Sequence, residues 1–255
     1  MEFTFPDFTH PALWVSLLTL TFLEIVLGID NIIFISIVAG KLPANQQRAA
    51  RNTGLLLAMA FRVGLLLSIN WIISFREPIL SIPAIDGVSD EPLGLSIKDL
   101  ILMAGGLFLI VKSTLEIHHK LKHPGDDEIK PKGKIRGMRS VIIQIILVDA
   151  VFSFDSILTA VGLVDNVLIM IIAVVISIII MMLFAGPVTK LINQHPTLQM
   201  LALSFLVVIG VVLIAASLHQ EVSKSIIYSC LGFSLLVEIL NIKLRQRSAK
   251  AKKSA

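Results

Sequence analysis

The stretch Leu23-Glu24-Ile25-Val26-Leu27-Gly28-Ile29-Asp30-Asn31-Ile32 decides how this chain is read, because it sets two carboxylates inside an apolar run. A second stretch, Val148-Asp149-Ala150-Val151-Phe152-Ser153-Phe154-Asp155-Ser156-Ile157, repeats its pattern 125 residues later. Each has an acid, five residues, then Asp and a short oxygen-bearing side chain. A weaker match pairs Ala104-Gly105-Gly106-Leu107-Phe108-Leu109-Ile110 with Val208-Ile209-Gly210-Val211-Val212-Leu213-Ile214, 104 residues apart. The long connecting segment 76–97 makes the second offset the smaller one.

Around these motifs the chain is built for lipid. Of 255 residues, 55% are hydrophobic and 16% charged, with a mean hydropathy of +0.87. A soluble domain carries about 25% charged residues. The apolar residues fall in blocks of roughly 20, the length that crosses a hydrocarbon core. The reading is an all-α polytopic membrane protein with seven transmembrane helices, at about 11–38, 52–75, 98–116, 139–163, 166–187, 198–218 and 225–242. The first ten residues carry Glu2 and Asp7 but no Lys or Arg, so the first block is expected to stay as a span rather than be cleaved as a signal peptide.

Basic residues mark one side. Segments 39–51, 117–138 and 188–197 and the tail 243–255 are Lys- and Arg-rich, whereas the N-terminus, 76–97, 164–165 and 219–224 are acidic or balanced. The positive-inside rule then places the N-terminus outside and the C-terminus in the cytoplasm. The net charge of +4 therefore reflects loop topology and calls for no nucleic acid. A single membrane domain is expected over 1–255. It comprises repeat one at about 11–116, a cytoplasmic loop 117–138, repeat two at about 139–218, an extra helix at about 225–242 and a basic tail 243–255. Trp14 and Trp71 are expected as interfacial anchors. Cys230, the one cysteine, is expected as a small core residue and excludes an intrachain disulfide or a thiolate metal site.

A repeat of three spans is odd, so its second copy enters the membrane from the opposite side. The expected architecture is an inverted three-helix repeat (spans 1–3 and 4–6) plus a seventh helix, which in secondary transporters puts the site near midplane. Gly28 and Ser153 lie between the acids at matching places and are the candidate helix breaks.

A carboxylate at the centre of a lone helix costs about 2.5–3.5 kcal/mol, so four such groups left ionised and unpaired would cost on the order of 10 kcal/mol. Glu24, Asp30, Asp149 and Asp155 therefore point to a site. Glu24 and Asn31 are seven residues apart and share a helix face, as do Asp149 and Ser156. With Asn31 and Ser156 the acids make an all-oxygen set suited to manganese, magnesium or calcium and ill suited to zinc or copper. The excess negative charge calls for protons or a base. Arg62 and Lys112 are the counter-charge candidates, and a carboxylate that trades an ion for protons would run proton antiport. Glu238 and Asn241 are accessory candidates. His118, His119 and His123 could gather metal at the cytoplasmic mouth, although a solvated polar loop is the better reading of them.

At these motifs the chain closely resembles the TerC family of membrane proteins, over about residues 11–242. Leu23 to Asn31 looks like its first signature and Asp149 to Ser156 its second, with Gly105-Gly106-Leu107-Phe108-Leu109 and Glu116-Ile117-His118 also similar. The resemblance implies a seven-span bacterial inner-membrane protein linked to manganese efflux. It also implies a metal site of Glu24, Asp30, Asn31, Asp149, Asp155 and Ser156, with the metal as substrate and no prosthetic group. Some relatives carry cytoplasmic regulatory domains, which are not expected here. A homo-oligomer or membrane partner protein is compatible with the sequence.

Two other readings stay open. A non-transporting membrane partner that loads metal onto exported proteins would need a site open to one side only. An intramembrane aspartyl protease would use Asp30 and Asp155, but it leaves Glu24 and Asp149 unexplained and its Gly-x-Gly-Asp context is missing. A retinal receptor is excluded because Lys243 sits only at the edge of span seven. The chain is therefore read as a transporter and not an enzyme.

Overall fold

In a computed structural model of the chain, the described residues are 6, 8–69, 77–83, 92–122, 137–164, 166–220 and 222–254. Helix α1, Pro11–Leu27, starts with proline, which lacks only an N–H that the first turn leaves unpaired anyway. It ends at Gly28, and α2, Ile29–Ala39, sets off from there, the two segments meeting at 42°. The Gly28 N–H still reaches the carbonyls of Glu24 and Ile25, at 2.9 and 3.1 Å. The missing side chain matters: a Cβ on Gly28 would run into the Sδ of Met181 from a neighbouring helix.

Helix α3, Ala44–Leu67, begins eight residues before the expected span, because Ala44-Asn45-Gln46-Gln47-Arg48 continues the helix on its polar end. A feature missed in the sequence follows. Strand β1, Pro78–Ile82, pairs antiparallel with β2, Leu93–Ser96, with an irregularity between Pro78 and Leu80. The chain then enters α4, Ile97–Lys122, through a capping box in which the Asp99 N–H donates to Ser96 Oγ at 3.2 Å. Reciprocally, the Ser96 N–H donates to Asp99 Oδ2 at 2.9 Å.

Helix α5, Met138–Val161, is continuous through Ser153, which corrects the second expected helix break. The Ser153 hydroxyl bonds back to the Asp149 carbonyl, four residues earlier at 2.6 Å, so the serine stays within the helical ladder. Helix α6, Val167–Gln194, is capped by Asn166, whose Oδ1 accepts from the N–H groups of Leu168 and Ile169. Helix α7, Pro196–Ser217, follows directly, and α8, Lys224–Ser254, runs on into the basic tail.

Five of these helices are long and apolar enough to cross a membrane: α3, α4, α6, α7 and Ser225–Arg245 of α8. The bent pair α1–α2 adds a sixth. Helix α5 has 24 residues, about 36 Å of helix.

The packing has a pattern. Helix α4 lies on α7, α3 on α6, and α2 on α5. Helix α3 also packs on α5 as α1 and α2 pack on α6, and α4 meets α5 as α2 meets α7. Exchanging α1–α2, α3 and α4 for α5, α6 and α7 leaves these contacts unchanged, whereas the α2–α3 and α6–α7 contacts have no comparable counterpart. Helix α8 stands outside the pattern and packs on α7. Its one cysteine, Cys230, is exposed, which corrects its expected place in the core: most of α8 turns apolar side chains such as Phe233 and Leu236 outward.

The bundle's outer surface is apolar, and its largely apolar interior also holds polar and ionisable groups. Phe22, Leu183 and Phe184 are exposed, whereas Glu24, Asn31, Ser36, Arg62, Asp149, Ser177 and Thr189 are buried. That arrangement suits a lipid surround, in which intramembrane ionisable groups face the bundle interior.

Candidate intramembrane polar site

Glu24 leaves α1 one turn before the bend, Arg62 comes from α3, and Asp149 comes from α5. The three meet in the interior. Arg62 Nη1 donates to Glu24 Oε2 at 2.5 Å, Nη2 to Asp149 Oδ1 at 3.0 Å, and Nε to Asp149 Oδ2 at 3.1 Å. The guanidinium is thus bidentate on one carboxylate and single on the other, a geometry its planar fork favours. All three side chains are nearly closed to solvent, with Arg62 3% exposed and each acid 6%.

Asn31, from the start of α2, joins them. Its Nδ2 donates to Asp149 Oδ1 at 3.0 Å, while its Oδ1 is buried without a hydrogen-bond partner among the described residues. Ser153 Oγ lies 3.1 Å from Asp149 Oδ2 and completes the shell around that acid. The bend at Gly28 makes this convergence possible, since it re-aims α2 so that Asn31 reaches across to α5.

The remaining sequence candidates divide. Asp30 lies in α2 and Asp155 in α5, but their side chains fall outside the described residues. Ser156 is buried, with its hydroxyl 3.4 Å from the Ser153 carbonyl rather than on an acid of the cluster. Lys112 is half-buried on α4. Glu238 and Asn241 sit on α8 and do not join the Arg62 cluster. His118 and His119 are exposed on the last turns of α4, and His123 lies outside the described residues, as do Trp71 and most of the loop 117–138. Among the described residues no three His, Cys, Asp or Glu side chains gather as a metal would require.

Two features escaped the sequence reading. Arg51, expected in a basic connecting segment, is instead buried in α3, with Nη1 3.5 Å from Thr189 Oγ1. Thr189 pairs in turn with Ser36 at 2.9 Å, forming a second polar layer beyond Met181. The signal was available: Arg51 and Arg62 are eleven residues apart, close to three full turns, and so share one face of α3. The second feature is a small, almost wholly apolar recess lined by Leu20, Leu66, Ile157, Ala160, Met170 and Val174, which reaches Glu24. Thr21, beside it on α1, has a buried hydroxyl without a partner among the described residues.

Comparison with known proteins covers nearly the whole chain. The family model described as the integral membrane protein TerC family matches residues 9–253. The chain is 45% identical over 236 residues to a UPF0053 protein of Haemophilus influenzae, a match covering 92% of this chain and 96% of that protein. It is 45% identical over 241 residues to a UPF0053 protein of Buchnera aphidicola, covering 94% of this chain and 44% of that one. The inner membrane protein YoaE of Escherichia coli is 42% identical over 231 residues, 91% of this chain and 43% of its own length. The chain therefore spans less than half the length of several curated relatives and nearly all of the Haemophilus protein. No solved structure matches it.

Proposed function

The chain belongs to the integral membrane protein TerC family, and from that premise we propose that it exports a divalent metal ion, manganese foremost, from the cytoplasm. It is a multi-pass protein of the bacterial inner membrane, as its long apolar helices and the named inner-membrane relatives agree. On this reading α5 is the remaining span, and the two motif-bearing halves form an inverted pair. The exchange symmetry of most contacts among α1–α4 and α5–α7 supports that arrangement.

The observation that carries the proposal is the meeting of Glu24 and Asp149, the leading acids of the two matching motifs, in the bundle interior. Beside them Asn31 offers an oxygen that nothing else uses. Buried carboxylates and an amide oxygen are hard donors that suit manganese, magnesium or calcium. Asp30, Asp155 and Ser156 complete the proposed ligand set, with Asp30 and Asp155 one residue from Asn31 and Ser156 on the same helices. Proton antiport would follow from carboxylates that take up protons as the ion departs.

The test uses cells lacking their own manganese exporters, expressing either the native chain or Asp30→Asn. Restored growth in high manganese and a lower cellular manganese content with the native chain alone support export through this site. Unchanged manganese with both forms well inserted would overturn the manganese reading.

A further inference from the structure

We propose that Arg62 is a tethered stand-in for the cargo: its guanidinium holds the empty site's carboxylates, and a divalent ion displaces it on loading. The inference rests on the export reading and adds to it a device for returning the unloaded carrier.

Three N–H groups of one side chain converge on three carboxylate oxygens, Glu24 Oε2 and both oxygens of Asp149. These are the oxygens an ion would have to take, so the two cations exclude each other by contact. Charge points the same way. With Arg62 seated, the two ionised acids and one guanidinium sum to one negative charge. With a divalent ion in its place they sum to zero. With neither present, two bare carboxylates would lie in the apolar interior, the costliest of these states. A rigid ion network would satisfy every buried acceptor, yet Asn31 Oδ1, on the amide that already binds Asp149, has no partner among the described residues. A buried orphan oxygen beside two carboxylates fits a ligand awaiting a cation.

The way out is narrow. Leu66, one turn beyond Arg62 on α3, and Glu24 line one small apolar recess. A guanidinium released from Asp149 moves that way only as those side chains part, and it stays in Glu24's neighbourhood. The consequence is functional. A carrier that halves the charge of its own unloaded site can reorient without carrying metal back, so export becomes net rather than one-for-one.

The experiment uses the full chain in liposomes with radioactive manganese(II), comparing native protein with Arg62→Lys and Arg62→Gln. Net efflux into metal-free buffer is measured beside exchange at equal manganese on both faces. The expected result is that the ratio of net efflux to exchange falls by roughly tenfold or more in Arg62→Gln, with a smaller fall in Arg62→Lys. If Arg62→Gln fails to insert, the charge-conserving Arg62→Lys carries the test alone. Net efflux and exchange falling by the same factor would overturn the proposal and leave Arg62 as a fixed counter-charge. An unchanged ratio would also overturn it, showing that protons alone neutralise the returning carrier. Native protein that moves manganese in neither assay would remove the export reading itself, an outcome distinct from the other two.

Discussion

Gly106 of α4 and Gly210 of α7 press backbone against backbone. A Cβ on Gly106 would stand 2.6 Å from the Gly210 carbonyl oxygen, and one on Gly210 would stand 2.8 Å from the Gly106 carbonyl oxygen. The contact is reciprocal beyond the glycines, since Ile214 covers Gly106 as Ile110 covers Gly210. Small residues at such crossings let membrane helices approach closely where no hydrophobic drive is available. Either glycine to Ala should cost about 1–3 kcal/mol, because a backbone carbonyl cannot yield without parting the helices. The double variant should cost less than the sum, since the first substitution already opens the crossing. Thermal midpoints in detergent check this, and full additivity would show the two sites to be independent.

The two acids on Arg62 should differ in what their loss does to stability. Glu24→Gln leaves a one-to-one Arg62–Asp149 pair and an amide oxygen that can still accept from Nη1, so the stability change should be small. Asp149→Asn strips the bidentate partner and weakens the Asn31 and Ser153 contacts as well. It should cost about 3–5 kcal/mol, the range for breaking a buried ion pair from one side. Denaturation of purified variants measures the order, and a larger loss for Glu24→Gln would contradict the geometry.

The acids themselves were legible in the sequence because intramembrane charge is rare and the same spacing recurs at Asp149–Asp155. The partner on α3 was harder to place. Arg62 was visible as a base within a span, but nothing in its neighbourhood indicates which acids it reaches, a matter of how α3 packs on α5 and α6. The break at Gly28 was legible and the one at Ser153 was not there, because a serine can bond its own helix whereas glycine offers no such tie. The hairpin Pro78–Ser96 escaped because a short two-stranded ribbon between spans leaves no sustained alternation. Arg51 was misplaced because helix α3 extends past the membrane-length apolar block, and charge at a span's end resembles a loop signal.

Gly28 and Met181 should be coupled. Adding a methyl at Gly28 drives it into the Met181 thioether, a flexible group that can give way only partly in a packed interior. Gly28→Ala alone should lower stability by about 1–2 kcal/mol, and Gly28→Ala with Met181→Ala should recover part of it relative to Met181→Ala alone. A double-mutant cycle measures the coupling, and a coupling near zero would mean that the break is set elsewhere.

At the far end of α4, the capping box predicts a separable effect. Ser96 both gives and receives: its Oγ donates to Asp99 Oδ2 at 2.6 Å and accepts from the Asp99 N–H. His219, at a positive φ of 58°, places Nε2 3.1 Å from the same Asp99 oxygen and ties the end of α7 to the start of α4. Ser96→Ala should cost about 1 kcal/mol through the lost cap. His219→Ala should cost less, because its ring is half exposed. Manganese transport should persist in both, since neither residue approaches the Arg62 cluster, and loss of transport with folding intact would tie this end of the bundle to the cycle.

Sidedness has its own test. In the orientation expected from the basic segments, the connection 219–224 lies toward the exterior. Ser223, within it, is exposed. The exposed Cys230 must first be replaced, as Cys230→Ser, to give a cysteine-free background. Ser223→Cys should then react with a membrane-impermeant thiol reagent added outside intact cells, and not in inverted vesicles. Labelling only from the cytoplasmic face would reverse the expected orientation, and with it the direction in which the site is read to discharge its ion.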